Sequence, residues 1–228
     1  MRLVQLAIVV AAAGFAAAIL PAAGRAGNEC AGVPQCISVP GPWVIVPRHG
    51  EATFLLECPG RRGVVGGLDA QLTSQDIHIT FDGLLASPVS SGHTTSSYAF
   101  FRAVSGIGKR GAFQPRIGCI PQKTQRVDTS ARVVPLGAPL DLAATTVVLH
   151  PGTVQRTTLG CVAGEHLVSS WNATVFKTPN PPPIALADAI RVLRVTRNGK
   201  VTVTITTSDA LPSAAKAAVQ VGVECAPR

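Results

Sequence analysis

Arg191-Val192-Leu193-Arg194-Val195-Thr196 and Val201-Thr202-Val203-Thr204-Ile205-Thr206 flank the dipeptide Asn198-Gly199. Val201, Val203 and Ile205 alternate with Thr202, Thr204 and Thr206, a period of two that separates aliphatic from hydroxyl side chains on the two faces of a strand. Asn-Gly between strand-like runs suits a tight hairpin turn whose central residues need positive φ. The stretch therefore reads as a β-hairpin.

The same signal recurs along the chain. Ile77-His78-Ile79-Thr80-Phe81 alternates, and β-branched or aromatic runs occupy Trp43–Val46, Thr53–Glu57, Ser97–Val104 and Thr145–Leu149. Gly, Pro, Asn and Asp punctuate them, as turns require. The run Ser213–Val219 holds four alanines, which would suit a short helix, but a strand is preferred there. Many short strands with regular turns imply a sandwich or a barrel.

The cysteines organise these strands. Cys58 and Cys119 are spaced much as Cys161 and Cys225 are, and the residues around them match. Val64-Val65-Gly66-Gly67-Leu68-Asp69-Ala70 aligns without a gap on Leu167-Val168-Ser169-Ser170-Trp171-Asn172-Ala173, and Gln114 to Cys119 aligns on Gln220 to Cys225. The repeat selects the pairings Cys58–Cys119 and Cys161–Cys225, which leaves Cys30–Cys36 as a local loop. The expected architecture is all-β, two tandem immunoglobulin-like β-sandwich modules after an N-terminal signal peptide. The divisions are 1–26 signal, 27–122 first module, 123–138 linker and 139–228 second module. Antibody domains carry a Tyr two residues before the second Cys; here those places hold Ile117 and Val223. Each bridge is expected to tie an early strand to the last strand of its module.

The first 26 residues carry Arg2, then the uncharged run Leu3 to Leu20, then Pro21 and small residues up to Ala26, the pattern of a cleaved secretory signal. An even number of cysteines beyond such a signal implies disulfides in an oxidising compartment. The chain has 20 basic and 12 acidic side chains, and it stays positive when Arg2 and Arg25 leave with the signal. The charge is scattered, with local groups at Arg61-Arg62, Lys109-Arg110 and Arg191/Arg194/Arg197/Lys200. Aromatics make up only 4% and there is no nucleic-acid-binding motif, so nucleic acid is excluded as a partner. The candidate partner is an anionic or cell-wall polymer, and no membrane span is expected after signal cleavage.

Cys58-Pro59-Gly60 followed by Val64-Val65-Gly66-Gly67-Leu68-Asp69-Ala70 resembles a pattern in exported β-sandwich proteins of high-GC Gram-positive bacteria. There a Cys-Pro start precedes a Val-x-Gly-Gly strand and a late Cys ends the module. The second module departs from it at Val162 and at Ser169-Ser170. The Ala-, Val-, Gly-, Arg- and Pro-rich composition is similar to that of such organisms. The resemblance implies export and a β fold, and carries no functional residue across.

Catalytic signatures do not accumulate. There is no Gly-x-Ser-x-Gly elbow, and bridged cysteines offer no thiolate. The histidines His49, His78, His93, His150 and His166 form no spaced ligand pair, so no metal and no cofactor are expected. His49 and His150 read as polar turn residues. Asp69 and Asn172 are the candidate ligand-binding pair, against the alternative that each caps a nearby backbone amide. Thr178-Pro179-Asn180-Pro181-Pro182-Pro183 reads as a stiff loop or a docking motif. The function expected is a secreted non-catalytic recognition or structural protein at or outside the cell envelope. The alternatives are a secreted hydrolase with an inter-module site using His78, His93 or His166, and a protease inhibitor presenting Val33-Pro34 in the Cys30–Cys36 loop.

Overall fold

The computed structural model describes residues 28–31, 36–59, 63–82, 97–106, 108–121, 131–133 and 140–228. The expected signal segment lies outside them, as do His93, Val33, Pro34 and most of the expected linker. The described residues form β1 (Ile37–Pro40), β2 (Trp43–Val46), β3 (Glu51–Glu57), β4 (Gly63–Leu72), β5 (Ile77–Asp82), β6 (Tyr98–Ser105) and β7 (Gly111–Pro121). They continue with β8 (Ala131–Val133), β9 (Leu140–Val148), β10 (Val154–Gly160), β11 (Glu165–Phe176), β12 (Ile190–Arg197), β13 (Lys200–Thr207) and β14 (Ala217–Pro227). The other regular elements among them are short 3-10 turns at Asn28–Cys30, Ile184–Ala189 and Ser213–Ala215. No helix among the described residues is long and apolar enough to cross a membrane.

The strands form open antiparallel sheets. The largest has eight strands in the order β1-β7-β2-β11-β14-β9-β8, with β4 also paired to β7. β1 and β2 run in line along one edge of β7, broken at Gly41-Pro42, where the Gly41 N–H still donates to the Pro115 carbonyl at 2.7 Å. Two three-stranded sheets, β3-β6-β5 and β10-β13-β12, complete the fold. β8 falls inside the expected linker and pairs with β9, so this part of it is sheet. The strand expected over Ser213–Val219 begins only at Ala217. Pro212 has no N–H for a ladder, and its carbonyl instead accepts from Ala215 to close a 3-10 turn.

β2 joins strands from both halves of the chain, pairing Val44 with Phe113 on one side and Val44 and Trp43 with Val175 and Phe176 on the other. Its side chains alternate between two cores. Val44 and Val46 pack with Phe54, Phe101 and Phe113 under β3-β6-β5. Trp43 and Ile45 pack with Val201, Val203 and Ile205 under β10-β13-β12. The eight-stranded sheet is thus buried on both faces along its middle, with one small sheet on each side.

Three further kinds of contact fix the layers. Each long disulfide crosses from a small sheet to the large one: Cys58, just after β3, bonds Cys119 in β7, and Cys161, just after β10, bonds Cys225 in β14. The outer edge of β3 is sealed by Gln220 of β14, whose Oε1 accepts from the Leu55 N–H at 2.7 Å while its Nε2 donates to the Leu55 carbonyl at 2.9 Å. Beside it the Trp171 indole covers Gly222, where a Cβ would overlap the ring, and meets Phe100 edge-on at 5.0 Å.

Replacing Gln220 with Leu leaves a buried N–H and C=O at Leu55 without partners. This should lower unfolding free energy by about 2–4 kcal/mol in urea titration and speed hydrogen exchange at the Leu55 amide. Replacing Cys161 and Cys225 together with Ala should cost about 4 kcal/mol, the entropy of opening a loop of that length, read from the urea midpoint.

Candidate recognition surface

The hairpin of β12 and β13, closed by Asn198-Gly199, builds the most distinctive surface among the described residues. Asn198 and Gly199 have φ of 51° and 68°, the left-handed pair that a two-residue hairpin turn of type I′ demands. Gly meets this without cost, and Asn tolerates it better than other side chains. The turn pairs Arg197 with Lys200 and so sets the register of β12 on β13. Val201, Val203 and Ile205 then point into the core at 0% exposure. Lys200, Thr202, Thr204 and Thr206 point out.

Pairing on both sides of β13 extends this outer face. Lys200 lies between Gly160 and Arg197, and Thr202 between Thr158 and Val195. Thr204 lies between Arg156 and Leu193, and Thr206 between Val154 and Arg191. The Thr158 and Thr202 hydroxyls share a hydrogen bond at 3.0 Å. The three strands hold no Asp or Glu. Of their five cations, only Arg194 lies on the opposite face, where it stays exposed and its guanidinium donates to the Ser170 carbonyl. The four outward cations, Arg156, Arg191, Arg197 and Lys200, form no ion pair with a described carboxylate. A shallow groove of about 330 Å³ runs over Thr202 and Thr204, walled by Arg156, Arg197, Leu193 and Val195. Leu193 is 58% exposed and lies among these polar groups rather than in a broad apolar patch. Such a face offers fixed positive charge, hydroxyls that both donate and accept, and small aliphatic contacts.

The residues singled out from sequence are placed differently. All six cysteines are bridged as the repeat implied, Cys30–Cys36 included. Asp69 and Asn172 do not occupy matching places. β4 pairs Val65 with Cys119 and bulges at Gly66, whereas β11 pairs Leu167 with Cys225 and bulges at Val168. Counted through these bulges, Asp69 faces Arg116 and its counterpart is Trp171, facing Gly222; Asn172 faces Val221. The Asp69 Oδ1 accepts from the Ala70 N–H at 2.8 Å, as the capping alternative describes. Trp171 is core, and His49 and His150 lie in or beside turns. His78 on β5 and His166 on β11 are both exposed. The polyproline stretch leads from β11 to the 3-10 turn at Ile184–Ala189.

Two features had little sequence signal. β10 is hard to read because two of its three inward positions are Gln155 and Thr157 and only Leu159 is aliphatic, so the alternation that would place Arg156 on the outer face is weak. Glu29 is 1% exposed although it sits in a polar stretch. Its carboxylate accepts from Ser38 and pairs with Arg116 at 3.3 Å. Its carbonyl lies so close over Gly67 and Gly118 that a Cβ at either would collide with it. The paired glycines were the only available hint.

Replacing Gly199 with Val should strain the turn and lower stability by about 1–2 kcal/mol in thermal denaturation, with the loss confined to the turn position. No protein-family model, no curated protein and no solved structure matches the chain.

Proposed function

We propose that the protein is an exported, non-catalytic recognition module that acts at or outside the cell envelope, built as two disulfide-closed β-sandwiches of immunoglobulin-like kind. The observation that carries this reading is the outer face of β10-β13-β12, an array of cations and hydroxyls without a carboxylate. The sheet fixes where these side chains start, and the short threonines among them cost less to order on binding than the long cations do. Three disulfides, which take up every cysteine, suit an oxidising compartment. The N-terminal sequence supplies the route, and the resemblance to exported proteins of high-GC Gram-positive bacteria names the kind of host. In this reading sulfur has a structural role, and the strands serve as a scaffold for surface contacts rather than for a reaction centre.

The test is co-sedimentation of the disulfide-intact protein with isolated cell wall from a high-GC Gram-positive bacterium. Most of the protein should pellet at low ionic strength and be released by salt, because an exposed charged surface is screened over roughly 10 Å at 0.1 M. Recovery of the whole sample in the supernatant at low salt would sink the reading.

A further inference from the structure

The geometry points to an extended anionic polysaccharide as the ligand of the β10-β13-β12 outer face, lying across Arg156, Thr204 and Leu193 and along β12 towards Arg197. The inference rests on the recognition reading above and names its ligand and its surface.

Charge comes first. Four outward cations with no carboxylate among them make a local positive field that only an anionic partner relieves. Their spacing then narrows the class. Arg197 and Lys200 are direct cross-strand partners with Cα atoms about 5 Å apart, whereas strand geometry puts those of Arg191 and Arg197 about 20 Å apart along β12 and those of Arg156 and Arg191 about 12 Å apart across the sheet. That is far sparser than duplex DNA, which carries a charge every ~1.7 Å of axis. One close pair with two outlying cations suits an extended polymer whose acidic groups recur every one to a few sugar units. The residues between the cations agree with this. Thr158, Thr202 and Thr204 offer hydroxyls to hydroxyls, while Leu193 and Val195 offer aliphatic contact to sugar C–H faces. The face holds no aromatic residue on which bases could stack, as single-stranded nucleic acid would need. It also lacks the large apolar wedge with which interfacial elements enter a bilayer. The groove over Thr202 and Thr204 gives the chain a path between Arg156 and Arg197. Binding on these terms is charge-led and modest, since no sugar stacks on a ring.

The experiment measures binding of the disulfide-intact protein to immobilised polygalacturonate (carboxylate), heparin (sulfate) and phosphomannan (phosphodiester). Neutral dextran, duplex DNA and phosphatidylglycerol vesicles run in parallel. At least one anionic polysaccharide should bind, dextran should not, and about 1 M salt should abolish binding. The variant Arg156→Gln/Arg191→Gln/Arg197→Gln should weaken binding about tenfold. Thr202→Val/Thr204→Val should weaken it about threefold. The charge-matched variant Arg48→Gln/Lys109→Gln/Lys177→Gln, exposed and away from this face, should stay within threefold of the parent. If the triple variant folds poorly, the single variants Arg156→Gln and Arg191→Gln, each expected to lose about threefold, carry the same comparison.

Equal losses in the two charge-matched triples would overturn the assignment, because net charge alone would then explain binding. Tighter binding to DNA or to vesicles, lost in the face triple, would overturn the ligand class. If the protein pellets with cell wall but binds none of the polysaccharides, this inference fails while the recognition reading stands. If it does neither, both fail.

Discussion

Four residues, Trp43 to Val46, carry a constraint on which both cores depend. β2 is short, yet every side chain on it is buried, two on each face. A slip of one residue would exchange Trp43 and Ile45 with Val44 and Val46 between the two cores, so neither face would fit, and a longer slip would lose the pairings with β7 and β11. Its register therefore fixes where β7 of the first half meets β11 of the second. The run Trp-Val-Ile-Val suits that task, being continuously apolar as strands buried on both sides are.

Around this strand the layers are held by interactions of different kinds. Apolar burial supplies most of the driving force, because Phe101, Phe113 and Phe176 and the β13 aliphatics are removed from water. The disulfides limit the unfolded chain and cross between sheets, so they also resist sliding of one layer over another. Gln220 adds specificity. An edge strand with free N–H and C=O groups invites pairing with another chain, and the Gln220 amide satisfies both groups at Leu55, much as a neighbouring strand would. Arg110 with Asp188, and Arg102 with Glu224, add exposed or half-exposed ion pairs between the halves. Such pairs contribute little individually.

Much of this was readable from residue order, and what was not has a physical cause. β13 and the Asn198-Gly199 turn were legible because alternation and turn chemistry both act over a few residues. The disulfide pairing was legible because matched spacing is a long-range signal that survives in one sequence. β10 escaped because Gln155 and Thr157 face inward, so the face that holds Arg156 could not be assembled from sequence. The match of Asp69 to Asn172 failed because an ungapped alignment cannot see where a strand bulges. Gly66 and Val168 take up the slack at places that put Trp171, not Asn172, opposite the residue three before the cysteine. Gln220 looked like one more polar residue in a repeat. Its role depends on a partner 165 residues away, which no local pattern encodes.

β14 is the last strand in the sequence, and it feeds both cores: Ala218 enters one, while Ala217, Val219, Val221 and Val223 enter the other. It also brings Gln220 to β3 and Cys225 to Cys161. Neither core can be finished, and the second long bridge cannot form, until residues 217–227 have been synthesised. Pairings so distant in sequence form slowly. The first core lacks only Ala218 before that point, whereas the second lacks a whole inner strand, so the two halves of the fold mature at different times during synthesis.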